Sequence, residues 1–283
     1  MQTHPFYKDI LLHSDAELTE LLSSRIIERE TIHEWPLSCV QKLLLDDGTK
    51  LIYKSQLPPT VEAQFYENAT TDLLPGHRLL GHLGHCQVMT IEWIDAPLLR
   101  DLARSATQLF DHGRNVLARI AAIEGQLPVH LDIGSAESWS NAVEETLEKL
   151  AGLLSDGRFR LITNGDAIRV REWGISSRII NAVTENPRLS HGDLKADQVF
   201  ITPDGYRVID WQRPVIAPPD VDMVSLFVES GIDPGEYVDD AVVEIFWFLR
   251  LYWAVEAQFD IFPNTTMPLL DRWAAEAIEQ ILK

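Results

Sequence analysis

Two aspartates flank one short hairpin pattern, and no other feature narrows the choice of fold as far. The stretch reads Leu189-Ser-His-Gly-Asp-Leu-Lys-Ala-Asp-Gln-Val-Phe-Ile-Thr-Pro-Asp-Gly-Tyr-Arg-Val-Ile-Asp-Trp211. Two apolar runs, Gln198–Thr202 and Tyr206–Asp210, are separated by Pro203-Asp-Gly205, a turn signal. Asp193 precedes the hairpin and Asp210 ends it. A tight hairpin can bring both carboxylates to one cleft, one to meet a hydroxyl and the other to meet a metal ion. Phosphoryl transfer asks for that pair: a group that orients the nucleophile, and an anion that holds Mg²⁺ on nucleotide phosphates.

The chain around this stretch divides by pattern. Ser14 and Glu17 spell a capping box ahead of Leu18, Leu21 and Leu22, predicting a short helix. Ser38–Leu45 and Thr49–Lys54 are β-rich runs around Asp46-Asp-Gly48, a hairpin signal. Pro58-Pro-Thr60 opens a helix from Val61 to about Thr70, and Gln87–Glu92 reads as a strand. The first 90 residues therefore read strand, strand, helix, strand. After Pro97, apolar residues recur at helical spacing over Leu98–Arg104, Ala106–Ile123, Ser138–Leu154, Arg169–Val183, Val238–Glu256 and Met267–Leu282. The expected class is α+β, with a small β-rich part over 1–94 and a larger, mostly helical part over 95–283.

The Leu189–Trp211 segment resembles the catalytic loop of the aminoglycoside phosphotransferase family, which includes choline kinase-like and other small-molecule kinases. That family shares the two-lobed fold of the protein kinases, whose related motifs are His-Arg-Asp and Asp-Phe-Gly. The resemblance implies that Asp193 is the catalytic base and Asp210 the principal Mg²⁺ ligand, with His191 bracing the loop. It places Lys195 where protein kinases carry a lysine that meets the transferred phosphate. Where the family has Asn as a second metal ligand, this chain has Gln198, one methylene longer, with Asp197 beside it as the alternative.

Other landmarks follow in family order. Lys54 resembles the lysine that meets the α- and β-phosphates. Glu62-Ala-Gln-Phe-Tyr66 resembles the family's Glu-x-x-Phe-Tyr, which makes Glu62 the expected partner of Lys54 and Glu67 the alternative. Met89–Ile94 resembles the hinge whose backbone meets the purine, so Glu92, Trp93 and Ile94 are nucleotide-contact candidates. Asp222, in Ala217-Pro-Pro-Asp-Val-Asp-Met-Val224, matches an aspartate that supports the catalytic loop. No glycine-rich phosphate loop is evident. Trp35-Pro-Leu-Ser38 occupies that region, leaving backbone amides or Ser38 for the task.

The resemblance implies an enzyme that moves the γ-phosphate of ATP or GTP, with Mg²⁺, to a hydroxyl on a small molecule. A catalytically impaired, nucleotide-binding or scaffolding relative is the second reading, supported by Gln198. A hydrolase using Asp193 and Asp210 would leave Lys54 and Glu62 without a role.

Composition trims the partners. In 283 residues, 43 acidic and 24 basic side chains give a net charge of −19. Such a surface repels phosphate backbones, which disfavours nucleic acid, and draws in cationic small molecules. Asp239, Asp240, Glu244, Glu256 and Asp260 accompany Trp247, Phe248, Tyr252 and Trp253 in the tail. They read either as a site for an amine such as an aminoglycoside or as core aromatics and a solvated acidic face. Cys39 and Cys86 are too few for a disulfide scaffold. With no apolar signal segment and no run approaching about 18 apolar residues, the expectation is a soluble, cytoplasmic protein without membrane partners.

Overall fold

In the computed structural model, which describes residues 1–283, the Asp46-Asp47-Gly48 turn joins two strands of a five-stranded antiparallel sheet. The strands are β3 (Ile26–Trp35), β4 (Ser38–Leu45), β5 (Lys50–Gln56), β6 (His77–Leu83) and β7 (Cys86–Glu92), in spatial order β3-β4-β5-β7-β6. Gly48 takes φ 87°, and the Leu45 amide donates to Thr49 O at 2.9 Å, closing the turn. The chain divides into two compact units. The first holds residues 1–102, 122–130 and 197–213, and the second holds 103–121, 131–196 and 214–283. The first unit thus takes in the 197–213 hairpin as well as the early strands.

In the first unit the N-terminal segment covers one face of the sheet. A two-stranded pair, β1 (Gln2–Thr3) and β2 (Leu11–Leu12), leads into helix α1 (Asp15–Leu22). The Ser14–Glu17 capping box is complete in both directions. Ile10, Leu12 and Leu18 pack with Cys39, Leu43, Tyr53, Cys86 and Val88 into a buried cluster. The rest of the unit is helix α2 (Glu62–Asn68), the short helix α3 (Leu99–Leu102), and the hairpin of β10 (Val199–Thr202) and β11 (Gly205–Val208).

The strands β3 and β6 were absent from the sequence pattern, and both are sheet edges. Each is largely solvent-exposed and polar: β3 carries Glu28, Arg29, Glu30 and Glu34, and β6 carries His77, Arg78 and His82. Charges that blunt an edge against further pairing also erase the apolar alternation by which a strand is read.

The second unit is helical. Its elements are α4 (Ala106–Ile120), α5 (Ala136–Ser155), α6 (Asn164–Gly174), α7 (Ser177–Thr184), α8 (Val221–Glu229), α9 (Asp240–Glu256) and α10 (Pro268–Ile281). A three-stranded sheet in the order β8 (Leu131–Asp132), β12 (Val215–Ala217), β9 (Arg188–Ser190) sits among them. Trp139 on α5 is fully buried, its ring 4.7 Å from Phe248 on α9 and 5.7 Å from Trp173 on α6. The helix expected over 169–183 is two helices. The Trp139 indole N–H donates to Gly174 O at 2.8 Å, Gly174 packs on Val143, and Ser176 is extended at φ −65° and ψ 143°. Glycine is a weak helix former, and the buried indole takes the carbonyl that would otherwise serve the next turn.

Candidate active site

Successive side chains alternate across a strand, and β5 uses both faces. Tyr53 and Ser55 face the N-terminal segment: the Tyr53 hydroxyl accepts from the His13 amide at 2.9 Å, and Ser55 Oγ donates to Leu11 O at 2.7 Å. Lys54 and Gln56 face the other way and are buried. Lys54 Nζ lies 2.5 Å from Glu62 Oε2 and 2.7 Å from Asp210 Oδ1. Gln56 Nε2 donates to the same Glu62 oxygen at 2.7 Å. Glu67, the other candidate partner, is exposed.

One ammonium between two carboxylates leaves this buried cluster with surplus negative charge. Burial works to lower the Lys54 pKa, but Asp210 and Glu62 outweigh it and hold the ammonium above its ordinary value. For Glu62, burial is the largest influence and raises its pKa. Lys54 pulls it back, and the Asp210 charge adds to the rise. Glu62 Oε1 is buried without a hydrogen bond.

Asp210 follows β11 with φ 74°, a left-handed backbone that costs a non-glycine residue about 1–2 kcal/mol. Its carboxylate is crowded with donors. Oδ1 accepts from Gln212 Nε2 at 2.5 Å as well as from Lys54, and Oδ2 accepts from Gln198 Nε2 at 3.3 Å. Asp197 turns elsewhere, with Oδ2 3.4 Å from Arg100 Nη1. Gln198 and Asp210 are thus the pair brought together, and Asp197 is not part of it. No group of three or more His, Cys, Asp or Glu side chains could hold a metal unaided. One carboxylate and one side-chain amide nevertheless suit Mg²⁺, which is commonly held by one or two carboxylates, with substrate phosphates and waters completing its shell.

Helix α2 is fastened to this loop by more than charge. Phe65 stacks on Trp211 with centroids 4.2 Å apart and planes 8° from parallel, both rings fully buried. The Val61 amide donates to Gln212 O at 3.2 Å. On β4, Ser38 is paired with Gln56 and so shares the Lys54 face. Its hydroxyl is buried without a partner. At the end of β7, the Glu92 amide donates to Gly76 O at 2.7 Å, and the Lys42 ammonium lies 4.8 Å from the centroid of the half-buried Trp93 ring. Glu92 is exposed and Ile94 half-buried.

The second unit holds the His191-Gly192-Asp193 loop, and it does so through the backbone. Asp222, in the first turn of α8 and 1% exposed, accepts from the His191 amide at 2.6 Å and the Gly192 amide at 3.0 Å. Burial pushes the Asp222 pKa up, while the His191 ring and those two amides pull it back. Gly192 at φ 85° supplies the turn a side chain would resist. His191 is buried; Asp193 and Lys195 are about one-third exposed, with Lys195 Nζ 3.2 Å from Asp193 Oδ2.

The acidic and aromatic residues of the tail are largely engaged inside the second unit. Phe248 is core, and Glu244 accepts from the Trp173 indole at 2.6 Å and pairs with Arg178. Asp239 caps α9 through the Ala241 amide, Asp260 meets Lys149 at 2.7 Å, and Glu256 accepts from the Tyr252 hydroxyl at 3.3 Å. Gln56 and Gln212 escaped the sequence reading. The available signal was position: Gln56 lies two residues beyond Lys54 on the same strand face.

No protein-family model matches the sequence, and no curated protein matches it. Solved structures do match. Choline kinase LicA from Streptococcus pneumoniae matches with a TM-score of 0.62 at 14% identity, over 94% of this chain and 96% of its own. A thermostable mutant of aminoglycoside phosphotransferase APH(4)-Ia, in ternary complex with AMP-PNP and hygromycin B, gives 0.63 at 13% identity, over 95% and 97%. Spectinomycin phosphotransferase APH(9)-Ia, in complex with ADP and spectinomycin, gives 0.58 at 14% identity, over 96% and 98%. Likeness at such identity speaks of architecture, and function must come from the site. The chain has the protein kinase-like fold shared by aminoglycoside phosphotransferases and choline kinases.

Proposed function

We propose that this protein is a small-molecule kinase that transfers the γ-phosphate of ATP to a hydroxyl group. The observation that carries the reading is the buried Lys54 held between Glu62 and Asp210. A lysine held between two carboxylates matches the phosphate-binding lysine and metal-binding aspartate of a phosphoryl-transfer site, whereas as a purely structural pair it would be weak evidence of stability. The ADP and AMP-PNP in the matched phosphotransferases favour an adenine nucleotide over GTP.

In this reading Lys54 meets the α- and β-phosphates, and Glu62, itself held by Gln56, fixes the ammonium. Asp210 and Gln198 hold Mg²⁺, whose charge offsets that of the phosphates. Glu92, Trp93 and Ile94 supply backbone contacts to the base, and Ser38 is placed on the Lys54 face to reach a phosphate. Asp193 accepts a hydrogen bond from the acceptor hydroxyl and receives its proton as the oxygen attacks the γ-phosphorus and the bond to the β,γ-bridging oxygen breaks, releasing ADP. Lys195 balances charge on the phosphoryl group in transit. Rate enhancement comes from positioning and charge neutralisation. A cationic acceptor such as an aminoglycoside now rests on the net charge of −19, because the tail carboxylates that could grip an amine largely have partners of their own.

The test is incubation with ATP, Mg²⁺ and a panel of hydroxyl-bearing amines, antibiotics and sugars, read as ADP release and phosphorylated product. Turnover with some acceptor, lost in Asp193→Asn, is expected; full turnover by Asp193→Asn would refute the assignment of the base. The second reading is a nucleotide-binding protein without transfer, favoured by Gln198 directing its amide nitrogen to Asp210. Mg²⁺-dependent nucleotide binding without product from any acceptor would select it.

A further inference from the structure

We infer that Gln212 is a positioning residue that aims the Asp210 carboxylate for the metal ion. The inference rests on the kinase reading above and deepens it. A carboxylate oxygen offers about two acceptor sites. On Oδ1 both are filled, by Lys54 Nζ at 2.7 Å and by Gln212 Nε2 at 2.5 Å. Oδ2 meets Gln198 at the longer distance of 3.3 Å.

Gln212 makes two contacts with Asp210 and a third with the start of helix α2. Its side chain holds Oδ1, and its amide donates to Asp210 O at 2.8 Å, bracing the residue at φ 74°. Its carbonyl accepts from the Val61 amide, immediately before the helix that carries Glu62. Trp211, between the two, stacks on Phe65 of that helix. One residue thus ties the orientation of the Asp210 carboxylate to the helix that positions Lys54. Groups that orient a metal ligand commonly change metal affinity by about 10–100-fold when removed.

Gln212→Met keeps the length of the side chain and removes the donor; Gln212→Ala removes both and is the second variant should the first fold poorly. Mg²⁺ is titrated at saturating ADP, and the rise in melting temperature over the ligand-free protein is read for each variant and the wild type. Mg²⁺-dependent turnover is followed in parallel. The half-saturating Mg²⁺ concentration is expected to rise about tenfold in both variants, with kcat at saturating Mg²⁺ within about twofold of wild type. A merely structural role would lower the ligand-free melting temperature and leave the Mg²⁺ requirement alone. If wild type responds to Mg²⁺ and both variants respond at the same concentration, the inference is overturned and the kinase reading stands. If wild type shows no Mg²⁺-dependent rise, the kinase reading falls and the inference with it.

Discussion

The Lys54 cluster of the first unit and the Asp193 loop of the second are built by opposite means. Around Lys54, side chains hold side chains: Glu62, Asp210, Gln56, Gln198 and Gln212 form one buried to half-buried network. Around Asp193, a single buried carboxylate, Asp222, holds two backbone amides and leaves Asp193 itself partly open to solvent. The first arrangement suits a site that must keep charges fixed before a polyanion arrives. The second fixes the backbone around Asp193 while its carboxylate, paired with Lys195, stays about one-third exposed. Substitutions in the two regions should accordingly fail in different ways.

The largest effect expected is on rate. Asp193→Asn should reduce transfer by about 10³-fold, within the range for removing a general base, while leaving the nucleotide-induced rise in melting temperature intact. Next is Lys54→Met, which leaves the buried Glu62 and half-buried Asp210 carboxylates without their cation and should cost about 3 kcal/mol by denaturant titration. The pH dependence has a definite sign. Glu62 has a raised pKa in the folded protein, so its contribution is fully present below its unfolded value near pH 4.3–4.5. That contribution is lost as pH rises through the folded value. The difference between wild type and Lys54→Met should therefore be smaller at pH 5 than at pH 8; an equal difference would remove the charge explanation.

Asp222→Asn comes third. It retains one acceptor for two buried amides and should cost about 2 kcal/mol for the amide left unpaired, with reduced turnover and unchanged nucleotide affinity. Lost nucleotide affinity would blur the contrast between the two regions. The smallest effect belongs to Asp197→Ala. Its partner Arg100 is exposed, and surface pairs contribute about 0–1 kcal/mol, so the Mg²⁺ requirement should stay within about twofold of wild type. A large rise would return Asp197 to the metal site in place of Gln198.

The same contrast accounts for what could be read in advance. The Asp193–Asp210 hairpin, the Asp46-Asp-Gly48 turn and the capping box at Ser14 are local patterns, and each is found where its spacing placed it. Edge strands β3 and β6 were illegible because their solvent-facing charges hide the period of two. The break at Gly174 depends on an indole from another helix, which periodicity within 169–183 cannot register. Gln56 and Gln212 were missed for a related reason: a glutamine carries no motif, and its role appears only when strand β5, helix α2 and the loop after β11 bring Gln56 to Glu62 and Gln212 to Asp210. The tail aromatics were open to two readings. Helical spacing gives no depth and so left a ligand site and core packing both open for Phe248, which lies in the core beside Trp139.

The most direct test of the central claim is the melting temperature of the wild-type protein with ATP, measured with and without Mg²⁺. A ligand that binds the folded state at about 100 times its Kd stabilises it by about 2.7 kcal/mol. A rise that requires Mg²⁺, and that Lys54→Met abolishes, is the result expected of a nucleotide site built on Lys54, Glu62 and Asp210. An unchanged melting temperature at millimolar ATP and Mg²⁺ would contradict it.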